Sequence, residues 1–371
     1  MKDIVWPSTP DLDAFAADVE SGTDPSETPT ALSVEKGVPI YDGTTVDGSV
    51  AKEWVRILSQ GAGVFVIKRA FADLDALDAA TRVFQDIIAA EREAGATAGD
   101  HFAAAGTNDR VWNSAQKLCL RSPEVFARYM GNPVIDLACR AWLGPGYQIA
   151  TQVNQVRPGG KAQAAHRDYH LGFMTGEQMA TYPPHVHSFS PMLILQGGVA
   201  HSDMSPEAGT TKLLPRSQRF QDGYVAALRS DFRDYFEANH IQLSLAKGDA
   251  IFFSPALFHA AGANRSRDVV RMVNLLQVAS PFARHMEQVD RTAMCLALFP
   301  HLAVLGEPER AAAIAAAADG YPFPTNLDLD PPVGGLAPPT QQDLLAQAVR
   351  ENWTQAAFET ALEEQAAKRV A

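Results

Sequence analysis

The sequence of 371 residues contains only three cysteines, Cys119, Cys139 and Cys295, which are odd in number and far apart. Such a set cannot form a disulfide framework or a zinc ribbon, because both need close pairs of cysteines. The first residues also show no basic stretch followed by an apolar core, the pattern of a secretory leader. We therefore expect a protein of the reducing cytoplasm.

Long apolar runs and clusters of basic residues are missing as well. No run approaches the roughly 18 consecutive apolar residues that a membrane-spanning helix needs. The chain carries 31 Lys and Arg against 43 Asp and Glu, a formal net charge of −12, whereas binding to nucleic acid or an anionic membrane calls for a basic surface. The sequence predicts neither of these partners. It leaves monomer and homodimer both open.

What is present is the composition of a globular protein, with 46% hydrophobic and 20% charged residues. The length allows two or three domains, or one large elaborated barrel. Residues 1–50 are rich in Pro, Ser, Thr, Asp and Gly without a sustained apolar period, which predicts an irregular arm. Residues 300–371 show alanine-rich and amphipathic helical patterns, and we expect this helical extension to pack on the preceding domain.

Residues 51–299 carry the pattern of the main domain. A β-branched run and an amphipathic helix open it, and between residues 147 and 279 short apolar runs alternate with clusters of Pro, Gly, Asp and Asn. Many short strands at close spacing are typical of a β-sandwich or barrel. Residues 217–240 interrupt the strands with a helical pattern. We predict a mainly β fold with flanking helices.

Three residues in this domain form a candidate metal site. His166 and Asp168 are two positions apart, so in an extended backbone they project from the same face. His259 closes a different predicted strand, AIFFSPALFH. Two histidines and one carboxylate with open positions form the facial triad of non-haem iron(II) oxygenases. Because the carboxylate is present, the triad favours hydroxylation-type chemistry over halogenation.

An arginine lies in the next predicted strand, VVRMVNLL, twelve residues beyond His259. Arg271 would be costly in an apolar strand unless it meets an anion. Its guanidinium fork matches the distal carboxylate of a dicarboxylate in two parallel hydrogen bonds. The alternative is an ion pair with a structural aspartate.

Three segments resemble, in order and spacing, the motifs of the phytanoyl-CoA dioxygenase family of Fe(II)/2-oxoglutarate oxygenases: HRDYH, EAGTTKLLPRSQR and KGDAIFFSPALFHAAGANRSRDVVRMVN. The likeness spans about residues 55 to 285. It departs from the family motif at Arg216 and Gln218, where the family has glycine and histidine. The resemblance implies a double-stranded β-helix, or jelly roll, with the metal near the mouth of the barrel.

The resemblance also implies roles for individual residues. His166, Asp168 and His259 would ligate Fe(II), and Arg271 would anchor the C5 carboxylate of 2-oxoglutarate. The enzyme would then use O2 to hydroxylate, or desaturate or cyclise, a small-molecule substrate, with release of succinate and CO2. On the strand before RPGG, Gln155 corresponds to a polar position that faces the co-substrate in the family.

Other polar residues near these motifs need an interpretation. Thr151 shares a strand face with Gln155 and is a further candidate for the co-substrate site. Tyr169 and His170 follow the metal ligands directly and are candidate substrate contacts. His170 would share the ligands' face if the strand continues, whereas Tyr169 has the opposite parity.

Two further pairs resemble metal motifs in sequence. His185 and His187 follow two prolines, and we interpret them as surface or substrate-gate residues of a lid loop. The family resemblance places His201 and Asp203 at a strand end and turn, in which we expect Asp203 to accept hydrogen bonds from local backbone amides.

The sequence says less about the substrate. A coenzyme A thioester would call for a basic collar, which an acidic chain does not offer, and we prefer a small metabolite. Two alternatives remain open: a jelly-roll metal enzyme that does not use 2-oxoglutarate, such as a cupin-type dioxygenase or isomerase, and a catalytically silent barrel that acts as a binding module.

Overall fold

A computed structural model describes residues 4–22, 24–95 and 108–369. Within these ranges the strands are β1 (Ser33–Glu35), β2 (Val38–Asp42), β3 (Val64–Lys68), β4 (Asn108–Val111), β5 (Gln148–Val156), β6 (Ile194–Ala200), β7 (Lys212–Leu213), β8 (Ala250–Phe253), β9 (His259–Ala260) and β10 (Arg271–Ala279). Eight of them form one sheet in the order β1-β2-β3-β8-β6-β10-β5-β4. Its neighbouring strands are antiparallel, except for the parallel pair β2 and β3.

A smaller layer faces this sheet. Strands β7 and β9 pair with each other, and isolated bridges extend the pair on both sides, from His259 to His166 and from Leu213 to Ile241. The two layers form the double-stranded β-helix that the sequence predicts, and the prediction of a mainly β fold with flanking helices is confirmed.

Helices cover the outer face of the large sheet and wrap the barrel. They are α1 (Leu12–Glu20), α2 (Ala51–Ser59), α3 (Leu74–Glu93), α4 (Ser114–Arg121), α5 (Pro123–Met130), α6 (Pro133–Leu143), α7 (Gly176–Met179), α8 (Pro184–Phe189), α9 (Gly223–Ala226), α10 (Ser230–Asn239), α11 (Arg291–Leu298), α12 (Glu307–Ala317), α13 (Gln341–Arg350) and α14 (Gln355–Ala367). Trp54 of α2 stacks on Phe65 of β3 with ring centroids 4.7 Å apart. No helix in the described ranges is both long and apolar enough to cross a lipid bilayer.

The N-terminal 50 residues are not an irregular arm, and that prediction is wrong. They contain helix α1 and the strands β1 and β2, which lengthen the large sheet. Helix α1 buries a single side chain, Phe15, among the rings of Phe220, Phe232 and Phe258. Leu12 and Val19 lie at helical spacing from Phe15 and pack against the same cluster, but this run of nine residues is too short to produce a sustained apolar period.

Two other elements differ from the sequence pattern. The apolar run that begins at Ile241 is not a regular strand, and only Ile241 and Leu245 form isolated bridges. The helical pattern between Ser122 and Gly144 forms two helices, α5 and α6, because Asn132 begins a new helix by accepting hydrogen bonds from two backbone amides. Residues 217–240 are helical, as predicted, and contain α9 and α10.

The C-terminal helices contact the barrel through Arg291. Its guanidinium donates hydrogen bonds to the carbonyl oxygens of Ala316, at 2.8 Å, and of Ile149, at 2.8 Å. Ala316 lies in the last turn of α12, where carbonyl groups have no partner within the helix. Arg291 thus joins the end of α12 to strand β5.

A chain of hydrogen bonds lies buried between the large sheet and its helices. Thr81 Oγ1 donates to the Leu77 carbonyl oxygen at 2.8 Å, so it accepts from His201 Nδ1 at 2.7 Å. His201 Nε2 then accepts from the Tyr129 hydroxyl at 2.8 Å, and that hydroxyl accepts from Asn274 Nδ2 at 3.0 Å. These two hydrogen bonds show that the His201 ring is neutral and carries its proton on Nδ1.

The prediction that Asp203 accepts hydrogen bonds from local backbone amides is wrong, whereas His201 does lie at a strand end, directly after β6. His201 is 4% exposed, and burial lowers its pKa to about 3, with a smaller contribution from Lys247. Asp203 Oδ1 accepts a hydrogen bond from the Lys247 amide at 2.8 Å, which belongs to a separate turn and not to its own. His201 links helices α3 and α5 to the sheet.

We expect His201 alone to lower the free energy of unfolding by about 2 kcal/mol between pH 7 and pH 5. The histidine takes up a proton near pH 6.5 in the unfolded chain but only near pH 3 in the folded protein. The unfolded state therefore binds more protons in this window, and acid favours it. Denaturant unfolding of the wild type and of His201→Gln at both pH values measures the difference. The same pH dependence in both proteins would contradict this role.

Candidate metal centre

The smaller layer of the barrel positions the predicted metal ligands. His166 and His259 exchange two backbone hydrogen bonds of 3.1 Å each, and the Asp168 amide donates to the Pro255 carbonyl oxygen at 3.0 Å. The short segment from His166 to Asp168 is thus held extended against the chain that leads to His259. Alternate residues of an extended segment project from one face, and both ligands of the H-x-D motif point the same way.

The three side chains converge on one point. Asp168 Oδ1 lies 3.6 Å from His166 Nε2, and Asp168 Oδ2 lies 3.5 Å from His259 Nε2. The Nδ1 atoms donate to the carbonyl oxygens of Ala164, at 2.9 Å, and of Leu257, at 2.8 Å. These bonds place the ring protons on Nδ1 and leave the Nε2 lone pairs directed at the cluster.

The electrostatics of the cluster suit a metal cation. Burial alone would raise the pKa of Asp168, but the adjacent rings of His259 and His166 and the hydrogen bond from Gln196 hold it below its usual range. Burial lowers the pKa of His166, so the ring is neutral and its Nε2 can ligate. In the part of the chain that the structure describes, this is the group of histidine, cysteine and acidic residues able to hold a metal. Two imidazoles and one carboxylate with open positions fit Fe(II).

Sequence reasoning missed Gln196, which supports the carboxylate ligand. Gln196 Nε2 donates to Asp168 Oδ2 at 2.6 Å and to Gln277 Oε1 at 3.2 Å. A polar side chain inside the apolar strand MLILQGG is the signal that could have identified it, by the same argument that selected Arg271. A partner of this kind fixes the orientation of a metal ligand.

Arg271 lies on the same face of the large sheet as Gln196 and Gln277. Alternate residues of β10 share a face, and Arg271 and Gln277 are an even number of positions apart. Arg271 is 4% exposed, and its Nη2 lies 3.5 Å from the Gly262 carbonyl oxygen. The loop before it is ordered by Asn264, whose Nδ2 donates to the carbonyl oxygens of Val156 and Val269. The structure therefore brings a buried guanidinium into the metal-facing side of the barrel.

Thr151 and Gln155 do share a face of β5, but it is the wrong one, and their assignment to the co-substrate site is contradicted. In the antiparallel register Gln277 lies opposite an even-numbered residue of β5, so the even-numbered residues face the metal ligands. Thr151 Oγ1 instead lies 2.7 Å from the Ser114 hydroxyl of helix α4. Gln155 Nε2 donates to Asp109 Oδ2 at 3.1 Å, away from the metal centre.

The even-numbered neighbours Gln152 and Asn154 take the inner face. Asn154 is 3% exposed, and its Oδ1 is buried with no hydrogen-bond partner in the described part of the chain. Gln152 Oε1 accepts from Arg110 Nη1 at 2.9 Å, and the Arg110 guanidinium lies 5.1 Å from the centre of the Trp112 ring. These residues add polar groups to the interior beside Arg271.

The extended segment ends at Asp168, which removes the reason for placing His170 on the ligands' face. Tyr169 and His170 have φ angles of 81° and 25°, and His170 begins a short 3-10 helix. Tyr169 is buried, and its hydroxyl accepts a hydrogen bond from the Met286 amide at 2.9 Å. His170 Nδ1 lies 2.9 Å from the Ser190 hydroxyl, so this ring contacts the segment that follows α8.

The remaining motif residues lie outside the metal centre. His185 and His187 belong to helix α8, where a ring nitrogen of the buried His187 lies 3.2 Å from the Met179 carbonyl oxygen. Arg216 has a φ of 73°, a left-handed conformation that explains why the family motif has glycine there. Gln218 Nε2 donates to the Gly61 carbonyl oxygen at 2.9 Å. The two departures from the motif therefore affect a turn.

Comparisons with known proteins agree with this geometry. The phytanoyl-CoA dioxygenase (PhyH) family matches residues 42–273, more than half of the chain. The chain is 27% identical over 192 residues to dioxygenase trt7 of Aspergillus terreus (strain NIH 2624 / FGSC A1156), covering 50% of this chain and 61% of that one. It is 27% identical over 165 residues to dioxygenase aneA of Aspergillus aculeatus (strain ATCC 16872 / CBS 172.66 / WB 5094), covering 43% and 51%. The chain thus spans only half to three fifths of the length of these curated relatives.

Among solved structures, the chain is similar to SnoN, a non-heme alpha ketoglutarate dependent epimerase from nogalamycin biosynthesis. The TM-score is 0.41 and the sequence identity 17%, over 63% of this chain and 84% of that chain. The family match is consistent with the three motifs and with the fold, and it confirms the resemblance seen in the sequence. This protein belongs to the phytanoyl-CoA dioxygenase (PhyH) family.

Proposed function

We propose that this protein is a non-haem Fe(II)/2-oxoglutarate-dependent dioxygenase that hydroxylates a small molecule. The observation that carries the proposal is the convergence of His166 Nε2, His259 Nε2 and one carboxylate, with both Nδ1 atoms fixed by backbone carbonyls. When bound, Fe(II) and 2-oxoglutarate supply the activation of O2 and the oxidation of the substrate, with release of succinate and CO2.

The residues of the chain have separate tasks in this proposal. His166, Asp168 and His259 hold the metal, and Gln196 orients the carboxylate ligand through its 2.6 Å hydrogen bond. Arg271 binds the distal carboxylate of 2-oxoglutarate with its guanidinium fork. Its burial supports this task, because water does not compete for a guanidinium that is 4% exposed.

Polar groups on the inner face of the barrel and apolar side chains that follow the H-x-D motif support a small-molecule substrate with both kinds of surface. Gln152 and Arg110 offer hydrogen-bond donors and acceptors on the inner face. Phe173, Phe189 and Met192, which are exposed, lie in the segment that follows the H-x-D motif. The net charge of −12 remains an argument against coenzyme A thioesters, whose phosphates call for basic partners.

An anaerobic titration with Fe(II) and then 2-oxoglutarate tests the proposal. We expect a weak visible absorption band when the 2-oxo acid chelates the bound metal, and no band when glutarate replaces it, because glutarate has no 2-oxo group. Succinate release, screened against a metabolite library, then identifies the substrate. Metal binding without the band would favour the jelly-roll enzyme that does not use 2-oxoglutarate. A protein that binds no metal would be a silent barrel.

A further inference from the structure

The middle residue of the H-x-D motif points away from the metal centre into a second set of contacts. Arg167 is 3% exposed, and its Nη2 donates to the carbonyl oxygens of Ser217, at 2.5 Å, and Phe220, at 2.8 Å. The guanidinium carbon lies 5.5 Å from the centre of the Tyr224 ring and 5.4 Å from that of Phe258. Cation–π contacts of this kind strengthen when water is excluded.

A glycine makes room for this guanidinium. A Cβ atom on Gly223 would lie 1.8 Å from Arg167 Cζ and 2.1 Å from its Nη2. Since non-bonded carbon atoms approach to about 3.5 Å at their optimal separation, any other residue at position 223 would displace the arginine.

The segment from Ser217 to Tyr224 reaches all three metal ligands through their neighbours. Arg167 lies between His166 and Asp168. The Tyr224 hydroxyl donates to the Asp168 carbonyl oxygen at 2.9 Å. The Ser217 hydroxyl accepts from the amide of Phe258, the residue before the third ligand, at 2.8 Å.

We propose that the segment Ser217–Tyr224, here called the brace, positions the metal ligands from the side opposite the metal. The positioning residues are Tyr224 of the brace and Arg167, which the brace binds. The inference rests on the proposed metal centre. A buried charge is costly unless it is compensated. Two backbone carbonyls accept from Arg167 Nη2 and two ring faces cover the guanidinium, although its Nε has no hydrogen-bond partner among the described residues. These contacts and the close fit at Gly223 hold the guanidinium in place, and its position holds the backbone that carries the ligands.

The test measures the binding of Co(II), used as a spectroscopic probe, by variants of the full chain. Arg167→Met removes the guanidinium group and keeps a long side chain. Gly223→Ala displaces the Arg167 guanidinium, and Tyr224→Phe removes the hydroxyl that binds the Asp168 carbonyl oxygen. We expect Arg167→Met and Gly223→Ala to weaken Co(II) binding roughly 10- to 100-fold, the range for partners that orient metal ligands. We also expect the visible spectrum of the bound cobalt to change.

Arg229→Met is the matched control. Arg229 lies in the same insertion, donates to the Pro10 carbonyl oxygen and stacks on Phe232 at 4.9 Å, but it contacts no residue of the metal centre. Its dissociation constant and cobalt spectrum should equal those of the wild type. A thermal melt of each variant separates loss of fold from loss of positioning.

The outcomes distinguish the two proposals. If the wild type binds no Co(II), the proposed metal centre itself fails, and the brace fails with it. If the wild type binds and the folded variants match Arg229→Met in dissociation constant and spectrum, the brace alone is overturned. Where Arg167→Met does not fold, Tyr224→Phe decides, because it removes one hydroxyl and leaves Arg167 in place. A changed cobalt spectrum in that variant supports the brace, and an unchanged one overturns it.

Discussion

Replacing Asp168 with alanine is expected to abolish turnover and to weaken metal binding by roughly 100-fold or more, while the protein stays folded. Asp168 supplies the anionic ligand of the three, and loss of residues that merely orient a ligand already costs 10- to 100-fold. Its side chain is 17% exposed and is not part of the apolar core, so the change leaves no large cavity there.

Isothermal titration with Fe(II) or Co(II) under anaerobic conditions, together with a thermal melt, checks this expectation. Asp203→Ala is a suitable control, because that carboxylate accepts a hydrogen bond from Lys247 on a turn outside the centre. We expect this control to bind metal like the wild type. Wild-type metal affinity in Asp168→Ala would show that the cluster is not the metal site.

Arg271→Ala is expected to raise the KM for 2-oxoglutarate roughly 30-fold or more and to leave metal binding unchanged. Truncating one partner of a buried, hydrogen-bonded charge pair costs about 2–5 kcal/mol, and each 1.4 kcal/mol is a factor of about ten in affinity. Arg271 meets this condition, because it is 4% exposed on the metal-facing side of the barrel.

The concentration of 2-oxoglutarate that half-saturates the visible band, and that which half-saturates succinate release, both measure this effect. Arg267→Ala provides the control, since Arg267 is exposed in the loop before the same strand. A wild-type requirement for 2-oxoglutarate in Arg271→Ala would remove the co-substrate assignment. The enzyme class that binds metal without 2-oxoglutarate would then be preferred.

Local pattern was sufficient for the metal ligands but not for the strand faces. His166 and Asp168 are neighbours in sequence, so an extended backbone alone places them together. Thr151 and Gln155 were expected to share a face, and they do, yet only the pairing of β5 with β10 decides which face looks inward. A shift of one residue exchanges the two faces, and the inward positions belong to Gln152 and Asn154.

Contacts between distant segments explain the other differences. Helix α1 buries Phe15, whose ring partners are more than two hundred residues away in the chain. His201 resembled part of a turn motif, but its partners Thr81 and Tyr129 come from two helices. No periodicity in the sequence reports such partners.

By itself, the sequence determined the family, the barrel and the spacing of the triad, because these follow from short motifs and from the alternation of apolar residues along strands. The tertiary structure alone decided which strand face meets the metal, what supports each ligand and how the N-terminal residues are used. Gln196, Gly223 and Tyr224 acquire their roles only when separate segments meet, since hydrogen bonds and steric exclusion act across space and not along the chain.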